Sequence, residues 1–271
     1  MISADYHLHS FFSADSDTPM EEMVQQGIRL GLTHMCFTDH LDYDYYDASG
    51  KPTDMFDINT DSYLYEILQL REKYAGQITI NFGIELGLQP HLMRKYAVYA
   101  KSYDFDFIIG SSHTCNKRDP YFPIFFEGKT EEEAYREYFE SIIENIRKFS
   151  NFDVYGHLDY VVRYGPNMDR EYTYAKYQDQ LDTILNLLIE KGKGLEVNTA
   201  AVKYGLRQLH PSMEILKRYR ELGGEIVTVG SDAHSPTHIA DAFQRAADVL
   251  KECGFKYYTI FEKRIPEFKR I

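Results

Sequence analysis

Short apolar runs alternate with longer amphipathic segments along almost the whole chain. The apolar runs predict seven strands, over residues 2–6, 34–38, 78–84, 105–110, 154–155, 194–197 and 226–229. The segments between them predict helices that include 18–31, 60–74, 91–100, 172–191 and 211–222, with others opening at 130 and 235. Two capping boxes, Thr18 with Glu21 and Thr130 with Glu133, mark helix starts. The tail from Lys256 is expected to pack on the outside of the fold.

Repeated strand–helix units without a linker between them favour one domain, over residues 1–271, built on a parallel sheet. Seven such units predict an α/β fold of the TIM-like (β/α)7 barrel type, one unit short of eight. An open, doubly wound sheet is the competing architecture.

The charge balance narrows the classes of partner. The 271 residues include 30 Lys and Arg against 42 Asp and Glu, a formal net charge of −12. Nonspecific nucleic-acid binding needs a basic surface and is disfavoured, whereas an anionic small molecule is not excluded. No apolar run is long enough to span a bilayer, so no membrane partner is expected. Three widely spaced cysteines without a C-x-x-C pair predict reduced thiols and a cytoplasmic location.

Potential metal ligands follow nearly every predicted strand. His7 and His9 end the first strand and, at positions i and i+2, share one face. Further candidates follow later strands: His40, Glu85, His113, His157, Asp232 and His234. The carboxyl ends of all strands of a parallel barrel open on one face, so these side chains are expected to converge there. A metal site explains the set better than eight unrelated structural roles.

Two arginines are candidates for holding an anionic substrate. Arg163 follows the fifth strand and Arg207 the sixth, and a guanidinium can bind two phosphate oxygens at once. Each taken alone is equally well explained as an ordinary surface arginine. Asn198 and His210 are further candidates for substrate contact.

Six short motifs contain these candidate residues: His7-Leu-His9, Asp39-His40, Glu85, Gly110-Ser-Ser-His113, Gly156-His157-Leu-Asp and Gly230-Ser-Asp232-Ala-His234. Their order and spacing resemble those of the PHP (polymerase and histidinol phosphatase) phosphoesterases along nearly the whole chain. The resemblance implies a distorted (β/α)7 barrel with two to three divalent metal ions, manganese, zinc or iron. It implies three ligand sets: His7, His9, Glu85 and Asp232; Glu85, His113 and His157; and Asp15, His40 and His234.

The same resemblance implies hydrolysis of a phosphate monoester by in-line attack of a metal-bridging hydroxide. Glu85, Asp232, His234, Arg163 and Arg207 would then be the catalytic residues. The chain length and two long loops resemble the stand-alone histidinol-phosphate phosphatases of histidine biosynthesis, which implies L-histidinol phosphate as the small-molecule partner.

A substrate with an ammonium and an imidazole at its far end needs anionic groups set back from the metals. Asp42 lies two residues after His40, and we predict that it pairs with one of those cations. Three alternatives remain open: a PHP phosphoesterase acting on nucleotides or other small esters, a metal-dependent amide or lactone hydrolase, and a metal-binding protein without enzymatic activity.

Overall fold

Seven parallel strands form a nearly closed barrel in the computed structural model, which describes residues 2–271. The strands are β1 (Ala4–Leu8), β2 (His34–Phe37), β3 (Thr79–Gly87), β4 (Phe107–Ser111), β5 (Val154–Tyr155), β6 (Gly194–Asn198) and β7 (Val227–Gly230). Between the last and first strands, the His9 N–H donates to the Ala233 carbonyl (3.0 Å) and the Asp232 N–H to that of His7 (2.9 Å). The predicted barrel is therefore confirmed, and the open sheet is wrong.

Helices cover the outer face of the barrel. They are α1 (Met20–Arg29), α2 (Thr60–Lys73), α3 (Met93–Tyr99), α4 (Glu131–Lys148), α5 (Gln178–Glu190), α6 (Met213–Glu221) and α7 (Phe243–Glu252). The longest, α4, begins with the predicted capping box, in which Thr130 and Glu133 each bond the other's backbone N–H. Its buried stripe includes Ala134, Tyr138 and Ile142, as the helical period predicts. No helix within residues 2–271 combines the length and hydropathy needed to cross a membrane.

Three predicted helix starts are wrong. The helix predicted from residue 172 begins at Gln178, after a 3₁₀ turn at Tyr174–Tyr177. Pro19, not Thr18, precedes α1, and the Thr18 hydroxyl donates instead to the His234 carbonyl at 3.0 Å. The last helix begins at Phe243 and not at 235, because Ala240 and Ala242 adopt left-handed backbone angles that an α-helix cannot include. A single 3₁₀ turn, Pro236–His238, precedes them.

The carboxyl-terminal tail closes the amino-terminal end of the barrel. It forms an antiparallel hairpin of β8 (Tyr257–Glu262) and β9 (Ile265–Arg270). The Tyr6 hydroxyl donates to the Phe261 carbonyl at 2.8 Å, and the Phe261 ring lies 5.1 Å from that of Phe107, the first residue of β4. The tail therefore packs on the barrel at its amino-terminal end, and the opposite end of the barrel stays free for a site.

The loop after β2 crosses that free end. His40–Leu41 pairs in parallel with β3, and Tyr45–Tyr46 pairs with Pro52–Thr53 in a small antiparallel ribbon. These pairings place His40 directly beside Glu85.

Candidate metal centre

The predicted ligands converge on the buried carboxylate of Glu85 near the carboxyl end of β3. Glu85 Oε2 lies 3.2 Å from His7 Nε2 and 3.0 Å from His40 Nδ1. Glu85 Oε1 lies 3.2 Å from His113 Nε2 and 2.9 Å from His157 Nε2. Imidazoles from four different strand ends thus surround one carboxylate.

The donor atoms fall into overlapping groups of three, each small enough to surround one ion. Their members lie within 4.8 Å of one another, and the groups are His7, His9 and Glu85; Glu85, His113 and His157; His9, His40 and His234; and His40, Asp42 and His113. The first two share Glu85, as the family resemblance implies for a bridging ligand. The third holds His40 and His234 as expected, with His9 beside them.

Asp232 and Asp15 lie at the edges of these groups. Asp232 Oδ1 is 3.9 Å from His7 Nε2 and 3.5 Å from His9 Nε2. Asp15 Oδ2 is 3.1 Å from His234 Nε2 and 3.6 Å from the nearest ring nitrogen of His40. The structure thus brings together all nine residues predicted as metal ligands.

Several of these buried polar atoms have no hydrogen-bond partner within residues 2–271. They are Nε2 of His7, His9 and His234, Nδ1 of His40 and His157, and Oε2 of Glu85. A buried polar atom left unsatisfied costs roughly 1–3 kcal/mol, so such a concentration requires an explanation. Divalent cations coordinated by imidazole and carboxylate would satisfy the atoms that face the centre, such as Nε2 of His7 and His9 and Oε2 of Glu85, and the donor set suits zinc, manganese or iron. The residues present therefore fit a metal centre.

Buried carboxylates orient the imidazoles. His7 donates through Nδ1 to Glu196 Oε1 at 2.5 Å, and His113 donates through Nδ1 to Asp42 Oδ2 at 2.6 Å. Each bond fixes the ring tautomer and leaves Nε2 facing the centre, the usual arrangement behind metal-binding histidines. Glu196 also accepts from the His157 N–H at 2.8 Å. Sequence reasoning missed Glu196, although an acidic residue inside an otherwise apolar strand was a usable signal.

Electrostatics favour the metal-binding forms of Glu85 and His9 but the protonated forms of His7 and His40. Burial alone would raise the pKa of Glu85, but the imidazoles of His7, His113 and His40 hold it well below its usual range. Burial and neighbouring imidazoles lower the pKa of His9 well below normal, so that ring is neutral. At His7 and His40, carboxylates overcome the effect of burial and raise the pKa. Protons and metal ions therefore compete for the same nitrogens.

Asp42 lines the cavity above the centre, but its carboxylate already has a protein partner. Its side chain is nearly inaccessible, with Oδ2 bonded to His113 and Oδ1 buried without a partner among the described residues. Gly87 lies so close that a Cβ there would meet the Asp42 carboxyl carbon at 2.3 Å. One oxygen of the Asp42 carboxylate is engaged by His113, and the pairing of Asp42 with a substrate cation stays a prediction.

Arg163 reaches the site as predicted. It is held there by hydrogen bonds to His210 and Asn198, two residues that were expected to contact the substrate themselves. Its Nε–H donates to His210 Nε2 (3.0 Å), and its Nη2 donates to Asn198 Oδ1 (3.3 Å) and Asp232 Oδ2 (3.1 Å). Arg163 lines the cavity above the centre, whereas Asn198 and His210 are buried behind it. The predicted substrate contacts of Asn198 and His210 are therefore corrected to contacts with Arg163.

Arg207 is not brought to the centre. Its side chain is 63% exposed, pairs with Asp169, and lines a separate surface depression. Lys203, four residues earlier, lines the cavity instead, and its Nζ donates to the Asp232 carbonyl at 3.0 Å. Burial lowers the pKa of Lys203. The turn at Thr199–Val202 decides which of the two cations points inward, and residue spacing alone did not reveal it.

The cavity over the centre has a volume of about 610 Å³. Its floor carries metal-ligand candidates and Arg163, and its outer wall is largely aromatic, formed by Tyr45, Phe56, Tyr121, Phe122, Tyr160, Tyr164 and Tyr204. Asp119 lies in this wall and accepts from the Tyr45 hydroxyl at 2.8 Å. Burial raises the pKa of Asp119 to about 6. The cavity thus combines a cationic and metal-binding floor with an aromatic wall that carries a buried carboxyl group.

Comparison with known proteins places this geometry in a family. The PHP domain model matches residues 5–200. A histidinol-phosphatase of Lactococcus lactis is 33% identical over 262 residues, covering 96% of this chain and 95% of that protein. A probable histidinol-phosphatase of Clostridium acetobutylicum is 31% identical, covering 97% and 98% of the two chains.

Solved structures of histidinol phosphatases have the same fold as this chain. The crystal structure of the Lactococcus lactis histidinol phosphate phosphatase, complexed with zinc, L-histidinol and phosphate, has a TM-score of 0.89 at 32% identity and covers 98% of each chain. A Listeria monocytogenes structure, 19% identical, shares the fold with a TM-score of 0.77, covering 89% of this chain and 99% of that one.

Proposed function

The chain belongs to the PHP domain family, and from that membership we propose that it is a metal-dependent phosphomonoesterase that hydrolyses L-histidinol phosphate to L-histidinol and phosphate. The observation that carries this conclusion is full-length similarity to a phosphatase crystallised with zinc, L-histidinol and phosphate. The reaction belongs to histidine biosynthesis. Cys36, Cys115 and Cys253 are buried free thiols, which supports the proposed cytoplasmic location.

We propose two to three divalent ions, manganese, zinc or iron, held by the three ligand sets given above. Glu85 would be shared by the first two sets, and Asp15, His40 and His234 would hold the third ion. Bound metals would polarise the phosphoryl group and lower the pKa of an attacking water. The short distances from Glu85 to four imidazoles and the unpartnered ring nitrogens support this assignment.

Arg163 and Lys203 are proposed to bind the phosphate. The two cations lie on the same side of the cavity floor because both donate to Asp232, Arg163 to its carboxylate and Lys203 to its carbonyl. Arg163 uses Nε and Nη2 for protein contacts and leaves Nη1 without a partner among residues 2–271. That group and Lys203 Nζ would neutralise charge on the phosphoryl oxygens and orient the ester for in-line displacement.

The outer part of the cavity suits the amino-alcohol end of the substrate. The aromatic rings offer stacking surfaces for an imidazole and faces for an ammonium. We propose Asp119, a carboxyl group of this wall, as a partner of the substrate's cationic end; Asp42, which lines the same cavity, is the residue that the sequence predicts for this role.

The test is a comparison of kcat/KM for L-histidinol phosphate, serine phosphate, glycerol phosphate and a mononucleotide, with manganese or zinc added. We expect L-histidinol phosphate to lead by at least about 10²-fold, which corresponds to roughly 2.7 kcal/mol of differential transition-state binding. A mononucleotide as the best substrate would overturn the assignment and favour another phosphoesterase activity of the family. Absence of metal-stimulated phosphate release from every ester would overturn the enzymatic function itself.

A further inference from the structure

Hydrogen bonds link three buried side chains, Asp159, His210 and Arg163, and Arg163 lines the substrate cavity. Asp159 Oδ1 lies 2.5 Å from His210 Nδ1, and His210 Nε2 lies 3.0 Å from Arg163 Nε. Each of the three is at most 7% exposed, although they lie 51 and 47 residues apart along the sequence. Asp159 is held in turn by the Ser212 N–H, which donates to its second carboxylate oxygen at 3.1 Å.

The donors and acceptors in this chain determine the form of His210. Arginine only donates hydrogen bonds, so His210 Nε2 must present a lone pair to the Arg163 Nε–H. The proton of the neutral imidazole then lies on Nδ1, where the Asp159 carboxylate accepts it. Burial lowers the pKa of His210, which agrees with the neutral form. A protonated His210 would turn an N–H toward the guanidinium and break the contact.

The remaining contacts of Arg163 show how this hydrogen-bonded series orients the guanidinium. Nη2 is held by Asn198 and Asp232, and the guanidinium lies 4.7 Å from the centroid of the Tyr204 ring. With Nε held by His210, Nη1 is the nitrogen left for a ligand. An arginine side chain has up to about 2 kcal/mol of rotamer entropy to lose, so one that is already immobile binds phosphate better than a free one.

We propose that His210 is a positioning residue, which acts with Asp159 to hold the Arg163 guanidinium in the orientation that presents Nη1 to the phosphoryl group. The inference rests on the proposed function, in which Arg163 binds the phosphate. His210 itself does not touch the substrate.

A matched pair of substitutions separates the two bonds of His210. In His210→Gln, the side-chain oxygen takes the place of Nε2 and accepts from Arg163. In His210→Asn, the shorter amide reaches Asp159 but leaves Arg163 Nε without an acceptor. We expect kcat/KM to fall about 10-fold in His210→Asn, which corresponds to about 1.4 kcal/mol of transition-state stabilisation. In His210→Gln, kcat/KM should stay within about threefold of the parent.

Two further readouts distinguish positioning from general stability. The inhibition constant of inorganic phosphate should weaken in His210→Asn in step with kcat/KM, while metal content stays unchanged. In an Arg163→Ala background, His210→Asn should cost less than about twofold, because coupled residues are not additive. The surface variant His91→Asn, at a half-exposed residue paired with Asp44, controls for the substitution itself.

Equal losses in His210→Asn and His210→Gln would overturn the proposal, as would an undiminished effect of His210→Asn in the Arg163→Ala background. If His210→Asn does not fold, Asp159→Asn is used in its place. The single amide oxygen of asparagine cannot replace both carboxylate oxygens, which accept separately from His210 and Ser212. The effect of Asp159→Asn should also disappear in the Arg163→Ala background. The best ester from the substrate screen serves in all assays, so a wrong substrate assignment leaves the test intact. Parent-like kinetics of Arg163→Ala would remove both Arg163 from the site and His210 from its role.

Discussion

Replacement of Asp42 by asparagine tests whether this carboxylate supports a metal ligand or recognises substrate. Asp42 is 3% exposed, and its Oδ2 accepts from His113 Nδ1 at 2.6 Å. His113 in turn faces Glu85 through Nε2 at 3.2 Å. Asparagine can still accept the hydrogen bond through its amide oxygen, but it removes the negative charge that makes the imidazole a stronger ligand. The effect should therefore reach every substrate through the metal centre.

The magnitude follows from the contact. Loss of a partner behind a metal-binding histidine typically costs about 10–100-fold in metal affinity or activity. Because Asp42→Asn preserves the hydrogen bond, we expect the lower end, about 10-fold or roughly 1.4 kcal/mol. Asp42→Ala also leaves a buried Nδ1–H unpaired, at a cost of roughly 1–3 kcal/mol, so we expect a loss near 100-fold there.

The assay measures kcat/KM for L-histidinol phosphate and for glycerol phosphate as manganese is titrated. Both substrates should slow by the same factor in Asp42→Asn, and the manganese concentration for half-maximal activity should rise. Asp44→Asn is the matched control, since Asp44 is on the same loop but pairs with the exposed His91. If Asp42→Asn slows only L-histidinol phosphate and leaves the manganese requirement unchanged, Asp42 contacts the substrate and the reasoning is refuted.

Other substitutions test the remaining parts of the site. Arg163→Ala and Lys203→Ala should each lower kcat/KM by about 10²-fold at unchanged metal content. Arg207→Ala should stay within about twofold of the parent, because its side chain lies outside the cavity. The reverse ranking in steady-state kinetics would contradict the assignment of Arg163 and Lys203 to the phosphate site. Asp119→Asn should reduce the preference for L-histidinol phosphate over glycerol phosphate by about 10-fold, and equal slowing of both esters would remove Asp119 from recognition. Glu85→Ala should lose most bound metal by elemental analysis together with most activity, and a folded variant with full metal content would show that Glu85 is not the bridge.

The sequence by itself determined the barrel and the convergence of the candidate metal ligands. Alternation of apolar and amphipathic segments encodes strand–helix units, and a parallel arrangement of such units brings all strand ends to one face. Local periodicity also assigns faces, so His7 and His9 could be placed together from their spacing alone. Of the two predicted capping boxes, Thr130 with Glu133 formed, whereas Thr18 was drawn into a tertiary hydrogen bond with the His234 carbonyl.

Tertiary structure decided everything that depends on the paths of loops. Lys203 and Arg207 follow the same strand and are only four residues apart, yet the chain path after the turn at Thr199–Val202 places Lys203 in the cavity and Arg207 at the surface. Asp42, Glu196 and His210 contact residues far away in the sequence, and no local pattern records which partner is reached. Hydrophobic periodicity specifies which side of an element is buried, but the partner of a buried polar group is set by chain segments that meet only in the folded barrel.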